Sequence, residues 1–320
     1  MKQARILEVH WSLLKEYLKR MNHERFFNYL QYEKRFSPHT LIAYTKDLGQ
    51  FTTFIETTYQ IAAAGDINHF HIRSWMVDLM EKGNVARSIN RKLSCLKTWF
   101  RFLRKQGEVT GNPMLKIVAP KTGKRLPVFV TEGAMSLLFE QVDFGSGLTG
   151  LRNRLIMEVF YCTGMRRSEL LGLKVEDVIF SANQLRVFGK GGKERLIPVG
   201  RHLVELLETY IRERKAKFPQ SPHPQLFLHE NGQPMPSDHV YQLVKKYLSA
   251  VTTVEQRSPH VLRHTFATHL SNAGADLNAI KELLGHASLA ATQIYTHNSI
   301  EKLKKVYQQA HPKAKSTSSE

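Results

Sequence analysis

Apolar positions recur at helical spacing through most of this chain of 320 residues. In HTLIAYTKDLGQFTTFIE, Leu41, Tyr44, Leu48, Phe51 and Ile55 step by three and four, so they line one helix face. Ser37 and Pro38 predict its start, Ser as N-cap and Pro at the first helical position. HFHIRSWMVDLMEKG reads as a further helix ending at Gly83, and VARSINRKLSCLKTWFRFLRKQG carries the stripe Val85, Ile89, Leu93, Leu96, Phe100 and Leu103. Downstream, LRNRLIMEVFYCTG reads as a buried helix closed by Gly164, and helices are predicted over residues 201–217, 237–250, 259–272 and 276–284. One stretch breaks the pattern. QLRVFGKGGKERLIPV has two short strand-like runs around a glycine-rich turn, a hairpin signal. The predicted class is mainly α with a small β-sheet.

The clearest break in organisation is NPMLKIVAPKTGKRLPVFVT, which holds Pro113, Pro120, Pro127 and Gly123 among basic residues. Prolines disfavour continuous helix there. This predicts a helical N-terminal domain over residues 1–118, a linker at 119–127, a second domain over 128–312 and a flexible tail at 313–320.

Charge then narrows the partner. Lys and Arg number 46 against 28 Asp and Glu, a formal charge of +18. That excess favours a polyanion, and nucleic acid over a membrane surface. Two cysteines, Cys95 and Cys162, lie far apart, which excludes a disulfide framework or a Cys-rich zinc site and suits a reducing, cytoplasmic setting. No apolar run approaches the ~20 residues of a membrane span.

Charge also has a place. Along the 85–106 helix, Arg87, Arg91, Ser94, Thr98, Arg101 and Lys105 step by three and four opposite the apolar stripe. Cations interleaved with hydroxyls suit a helix lying on DNA, with a solvated surface face as the alternative.

Four short segments carry candidate chemistry. In SPHVLRHTFATHL, His260, Arg263 and His264 share a face near a helix start, placing a proton-transfer group beside an anion-binding one. The paired histidines also admit a metal, but Arg263 opposes a cation, so no metal is expected. In LLGHASLAATQIYTH, Gly285 delivers His286, and Tyr295 is either a half-buried aromatic or a nucleophile. In TGMRRSELLGL, Arg166 opens a helix and Glu169 is spaced to orient it. Lys190 stands between Gly189 and Gly191 at the hairpin tip.

In the order Arg166, Lys190, His260, Arg263, His286 and Tyr295, these residues resemble the signature of the tyrosine recombinase (phage integrase) family. TGMRRSELLGL, GKGGKERLIPV and SPHVLRHTFATHLSNAGADLNAIKELLGHASLAATQIYTH resemble its bacterial Xer branch, as does SPHTLIAYTKDLGQF nearer the start. The resemblance covers nearly the whole chain except the first twenty or so residues and the tail. It implies a core-binding N-terminal domain and a mixed α/β catalytic domain that close on DNA as a C-shaped clamp. It implies that Tyr295 attacks a DNA phosphate to give a 3′-phosphotyrosyl intermediate, with no cofactor. Arg166 and Arg263 would bind the phosphate, His260 would act as general acid/base and Lys190 would protonate the leaving oxygen. His286 would support phosphate or nucleophile, and Glu169 would sit behind Arg166. Implied partners are a double-stranded recombination site, a tetramer of this chain or a paralogous recombinase, and a DNA translocase at cell division. The implied role is chromosome or plasmid dimer resolution. The rivals are a type IB topoisomerase and a DNA-binding protein that does not cut. After Tyr295, Ile300, Leu303, Val306 and Tyr307 form a short apolar stripe, which the resemblance implies docks in a neighbouring subunit.

Overall fold

The computed structural model describes residues 23–123, 128–189, 192–285 and 306–314. The chain divides into two compact units, Met1–Arg125 and Leu126–Glu320, each with its own apolar core.

The first unit is helical. α1 (His23–Asn28) runs into a π-helical turn at Tyr29–Glu33, followed by α2 (Pro38–Tyr59), α3 (His69–Glu81) and α4 (Ala86–Lys105). Side chains set two of the starts. Ser37 Oγ accepts the Thr40 N–H, and Asn68 Oδ1 accepts those of Phe70 and His71. The predicted stripes point inward: Leu48, Phe51 and Ile55 of α2 share a core with Ile89, Leu93, Leu96, Phe100 and Leu103 of α4. Each such side chain contributes roughly 1.5–3 kcal/mol by leaving water. Val85 departs from the stripe. It is the extended N-cap of α4, where the helical period has not begun, and it is 65% exposed. Asp47 is buried between α2 and α4, and Arg91 and Lys92 both pair with it.

The second unit opens with α5 (Glu132–Gln141), α6 (Gly147–Thr163) and the short α7 (Arg167–Gly172). A three-stranded antiparallel sheet follows in the order β1 (Val178–Ile179), β2 (Gln184–Phe188) and β3 (Glu194–Pro198). The β2–β3 hairpin pairs Leu185 with Ile197 and Val187 with Arg195. Four longer helices follow among the described residues: α8 (Arg201–Lys217), α9 (Ser237–Val251), α10 (Pro259–Asn272) and α11 (Leu277–Leu284). α6 is buried from Leu155 to Thr163 on all sides, as a central helix is, and that run is apolar apart from Glu158, Tyr161 and Thr163. α5 and β1 have no counterpart in the sequence pattern, because one is three turns long with a mixed face and the other only two residues.

Of the C-terminal stripe expected to dock in a neighbouring subunit, Val306 and Tyr307 are among the described residues, and both pack within their own unit. Residues 306–310 are helical, and Tyr307 and Ala310 lie inside the core of their own unit. His311 Nε2 lies 3.1 Å from the Tyr161 carbonyl of α6. Lys313, expected in the flexible tail, reaches buried Glu158 at 2.7 Å and lies 3.6 Å over the Phe139 ring. Ile300 and Leu303 lie outside the described residues. No described helix is long and apolar enough to cross a membrane.

Candidate active site

Gly164 ends α6 in the left-handed conformation, φ 58°, where a Cβ would lie 2.5 Å from Phe266. The turn it makes hands the chain to Arg166, the N-cap of α7. Glu169, three residues on, accepts the Arg166 backbone N–H at 2.8 Å and its Nη1–H at 2.7 Å. The sequence spacing anticipated this pairing. It did not anticipate Arg195 of β3, whose fork holds the same carboxylate at 3.1 and 2.8 Å. A signal existed: strand alternation puts Arg195 on the same face as inward-pointing Ile197, an unusual place for a charge.

Arg263 of α10 completes the set. It is 7% exposed, and its Nη1 and Nη2 donate to the carbonyls of Gly164 at 2.7 Å and Leu284 at 2.6 Å. Together the three arginines take the last carbonyls of α11. Arg195 binds that of Leu283 at 2.8 Å, Arg263 that of Leu284, and Arg166 that of Gly285 at 3.3 Å. These are groups that a helix end leaves unpaired, and cations there also oppose the negative end of its dipole. Arg195 spends its fork and its Nε on these contacts. Arg166 and Arg263 keep further N–H groups and line a pocket of about 150 Å³ with Arg167, Tyr241, Ser258 and His260.

Two guanidinium groups thus hold one carboxylate and that of Arg263 adds a third charge nearby, leaving positive charge in excess. Burial pushes the Arg263 pKa down to about 10, helped by the Arg166 and Arg195 charges, so the group stays protonated at neutral pH. Burial pushes the Glu169 carboxyl up, but hydrogen bonds and charge from Arg195 and then Arg166 outweigh it and hold the pKa below its ordinary value. Partial desolvation, then the charges of His264, Arg263, Arg167 and Arg166, lower the pKa of His260. Its imidazole is therefore a neutral proton acceptor at pH 7. Ser258 is the N-cap of α10 by backbone position, but its hydroxyl caps no helix N–H and lines the pocket instead.

The structure brings Arg166, Glu169, His260 and Arg263 together; Lys190, His286 and Tyr295 lie outside the described residues. In the first unit, Arg87, Arg91, Arg101 and Lys105 are all exposed on α4. Arg91 is tied to Asp47, and Lys105 lies 3.7 Å from Glu33. Arg87 and Arg101 have no ion pair among the described residues.

Residues 129–302 match the phage integrase family, and residues 23–107 match the N-terminal SAM-like domain of phage integrases. Tyrosine recombinase XerC of Pelobacter propionicus is 40% identical over 290 residues, covering 90% of this chain and 94% of that protein. XerC of Staphylococcus carnosus is 39% identical over 292 residues, covering 91% and 97%. The fold is shared with XerH recombinase bound to a palindromic difH substrate, at TM-score 0.66 and 23% identity over 84% of this chain and 79% of that one. It is shared also with a lambda integrase dimer on a core site, at TM-score 0.62 and 20% identity over 85% and 97%. The chain belongs to the phage integrase family and is a site-specific DNA recombinase of the XerC type.

Proposed function

We propose that Tyr295 is the nucleophile and that the Arg166–Arg263 pocket holds the phosphate it attacks. The observation that carries this reading is the pair of guanidinium groups fixed on Glu169 and on backbone carbonyls with N–H groups left over, beside a neutral His260. Preorganised cations of fixed charge stabilise the negative charge that grows on a phosphate oxygen in the transition state. Tyr295 Oη bonds phosphorus as the bond to the 5′-oxygen breaks. His260 takes the phenolic proton, and Lys190 supplies one to the leaving oxygen. His286 supports the phosphate or Tyr295. The 3′-phosphotyrosyl bond conserves the phosphodiester, so a 5′-hydroxyl from a second strand displaces Tyr295 without ATP or metal, and the proton returns from His260.

On this reading the first unit grips the recombination site through α4, and four protomers pair two sites, with a paralogous recombinase as the other candidate for half of them. The protein works in the cytoplasm on chromosome or plasmid dimers, with a DNA translocase as partner at division. The test is recovery of covalently trapped DNA from cells, followed by sequencing of the junction. Wild type gives a defined junction, and Tyr295→Phe gives binding without an adduct. An adduct that survives in Tyr295→Phe removes Tyr295 from the mechanism. Strand resealing on a single site, with no exchange between two sites, favours the topoisomerase reading.

A further inference from the structure

Arg195 lies outside the residues that handle phosphate in the reading above, yet it is 4% exposed and all three of its nitrogens are engaged. Burying a cation is costly unless it is paired and hydrogen-bonded. One carboxylate and one carbonyl meet that need, and each belongs to a different element of the site.

Three contacts define its reach. The fork on Glu169 fixes a carboxylate whose two oxygens also accept the Arg166 backbone and side-chain N–H groups. Arg195 Nε holds the Leu283 carbonyl, three residues before His286. A Cβ on Gly285, still closer to His286, would meet Arg195 Nη1 at 3.1 Å. Gly189, immediately before Lys190, rests against the same pair: a Cβ there would lie 3.6 Å from Glu169 Oε1 and 3.7 Å from Arg195 Nη1. One buried guanidinium therefore holds the element bearing Arg166 and the end of α11 that leads into His286, with Gly189, the residue before Lys190, close beside it.

We propose that Arg195 is the positioning residue of this active site, setting the guanidinium of Arg166 through Glu169 and the approaches to Lys190 and His286 through Gly189 and α11. All three of its nitrogens are committed to Glu169 and the Leu283 carbonyl. Its effect is on geometry and on the charge state of Glu169. An ionised Glu169 accepts from Arg166 at both oxygens, whereas a protonated one turns a donor toward a donor. Arg195 is the leading cause that keeps this carboxyl below its ordinary pKa.

The inference rests on the recombinase chemistry above, and its test separates the two. The substrate is a nicked duplex carrying the junction sequence recovered from trapped DNA, and the readout is the single-turnover rate of adduct formation beside duplex affinity. Arg195→Lys keeps the buried cation but not the fork, and Arg195→Met loses both. Each should slow adduct formation by about a hundredfold, the scale of an ångström-sized misplacement, with affinity changed less than about threefold. In Arg195→Met the rate should also fall toward acid from a higher pH than in wild type, because Glu169 now protonates sooner. The double variant Glu169→Gln/Arg195→Met also removes the buried carboxylate that has lost its fork and should melt closer to wild type, yet stay slow, because the Gln amide cannot accept both Arg166 donors. A wild-type rate in Arg195→Lys overturns the proposal. So does a double variant whose rate recovers with its melting temperature, or an acid limb that does not move. Failure of wild type itself to form the adduct refutes the recombinase chemistry instead. The arginines are then read by titration with inorganic phosphate, followed through their side-chain NMR signals, and phosphate binding unchanged in Arg195→Lys again overturns the proposal.

Discussion

Acid should loosen the C-terminal segment through His311. The ring is fully buried between α6 and its own turn. The Lys313 backbone N–H donates to Nδ1 at 3.2 Å, so the hydrogen sits on Nε2, which donates to the Tyr161 carbonyl at 3.1 Å. A second proton, on Nδ1, would face the Lys313 N–H. Burial, with the charges of His269 and Lys313 assisting, pushes the pKa down to about 3. In the unfolded chain the same ring titrates near ~6.5. Between these values the unfolded state binds a proton that the folded state does not. The contribution is therefore complete above about pH 6.5 and falls as pH drops. The slope approaches ~1.4 kcal/mol per pH unit, so about pH 5 the loss reaches roughly 2 kcal/mol. His311→Gln keeps a neutral donor for Tyr161 and removes the titration. Tryptophan fluorescence is the wrong probe, because Trp11, Trp75 and Trp99 all lie in the first unit. Cys162 is better placed, buried in the core of the second unit. Its labelling by a pyridyl disulfide against urea, in a Cys95→Ala background, measures opening of that unit. Wild type should lose about 2 kcal/mol more than His311→Gln between about pH 7.5 and about pH 5. The thiol's own pH dependence cancels between the two proteins at each pH. Parallel stability curves would refute the assignment of a neutral, proton-excluding His311.

Gly164→Ala should cost about 1–3 kcal/mol by strain and overpacking, since its Cβ meets Phe266 at 2.5 Å in a left-handed turn. Because the Gly164 carbonyl holds Arg263, adduct formation should fall with it, and a thermal melt beside the rate checks both. Replacing Arg87 and Arg101 with Gln should flatten the salt dependence of DNA binding by about one unit per lost phosphate contact, and an unchanged slope returns α4 to a solvated face. Cleavage should persist in excess EDTA, and activity restored only by added Mg²⁺ or Zn²⁺ would overturn the arginine mechanism. Deleting residues 306–320 should raise Cys162 reactivity and lower the melting temperature, whereas a protein of unchanged stability would show that the segment contributes nothing at home.

Much of the architecture was legible because apolar period is imposed by burial. α4 reads off Ile89, Leu93, Leu96, Phe100 and Leu103 because every one of them faces a single core. The hairpin reads off its glycines and alternation. β1 does not, since its two residues are too few to show a period. The basic face of α4 was legible as a pattern, but the sequence could not say that Arg91 is shared with a buried Asp47 contributed by another helix. A long-range ion pair leaves no local signature. What remains exposed and unpaired among the described residues, Arg87 and Arg101, is therefore the sharper test of that face.

The same limit explains what was missed at the active site and in the C-terminal segment. Arg166 and Glu169 were legible because both ends of the contact lie within one helical turn. The other partners of the arginines are the carbonyls of Gly164, Leu283, Leu284 and Gly285, and a carbonyl is the same group whatever residue bears it. Only Arg195 broke a local rule, by placing a charge on an inward strand face. The stripe ending in Val306 and Tyr307 signalled that this segment must dock, since a helix so short is marginal alone. Where it docks is decided by groups far away in sequence. Glu158 is fully buried on α6 and needs a cation, which Lys313 brings to 2.7 Å. The Tyr161 carbonyl accepts from His311, while the Tyr161 hydroxyl is taken by His269 at 3.0 Å. Moving this segment to a neighbouring subunit takes away the shortest contact of Glu158 and leaves it with Arg154 at 3.5 Å and His202 at 3.6 Å. Stripping a buried charge of its one partner costs about 3–5 kcal/mol; with Arg154 and His202 still in place the cost here is smaller, and a neighbouring subunit that exchanges this segment offsets it by supplying an equivalent cation in return.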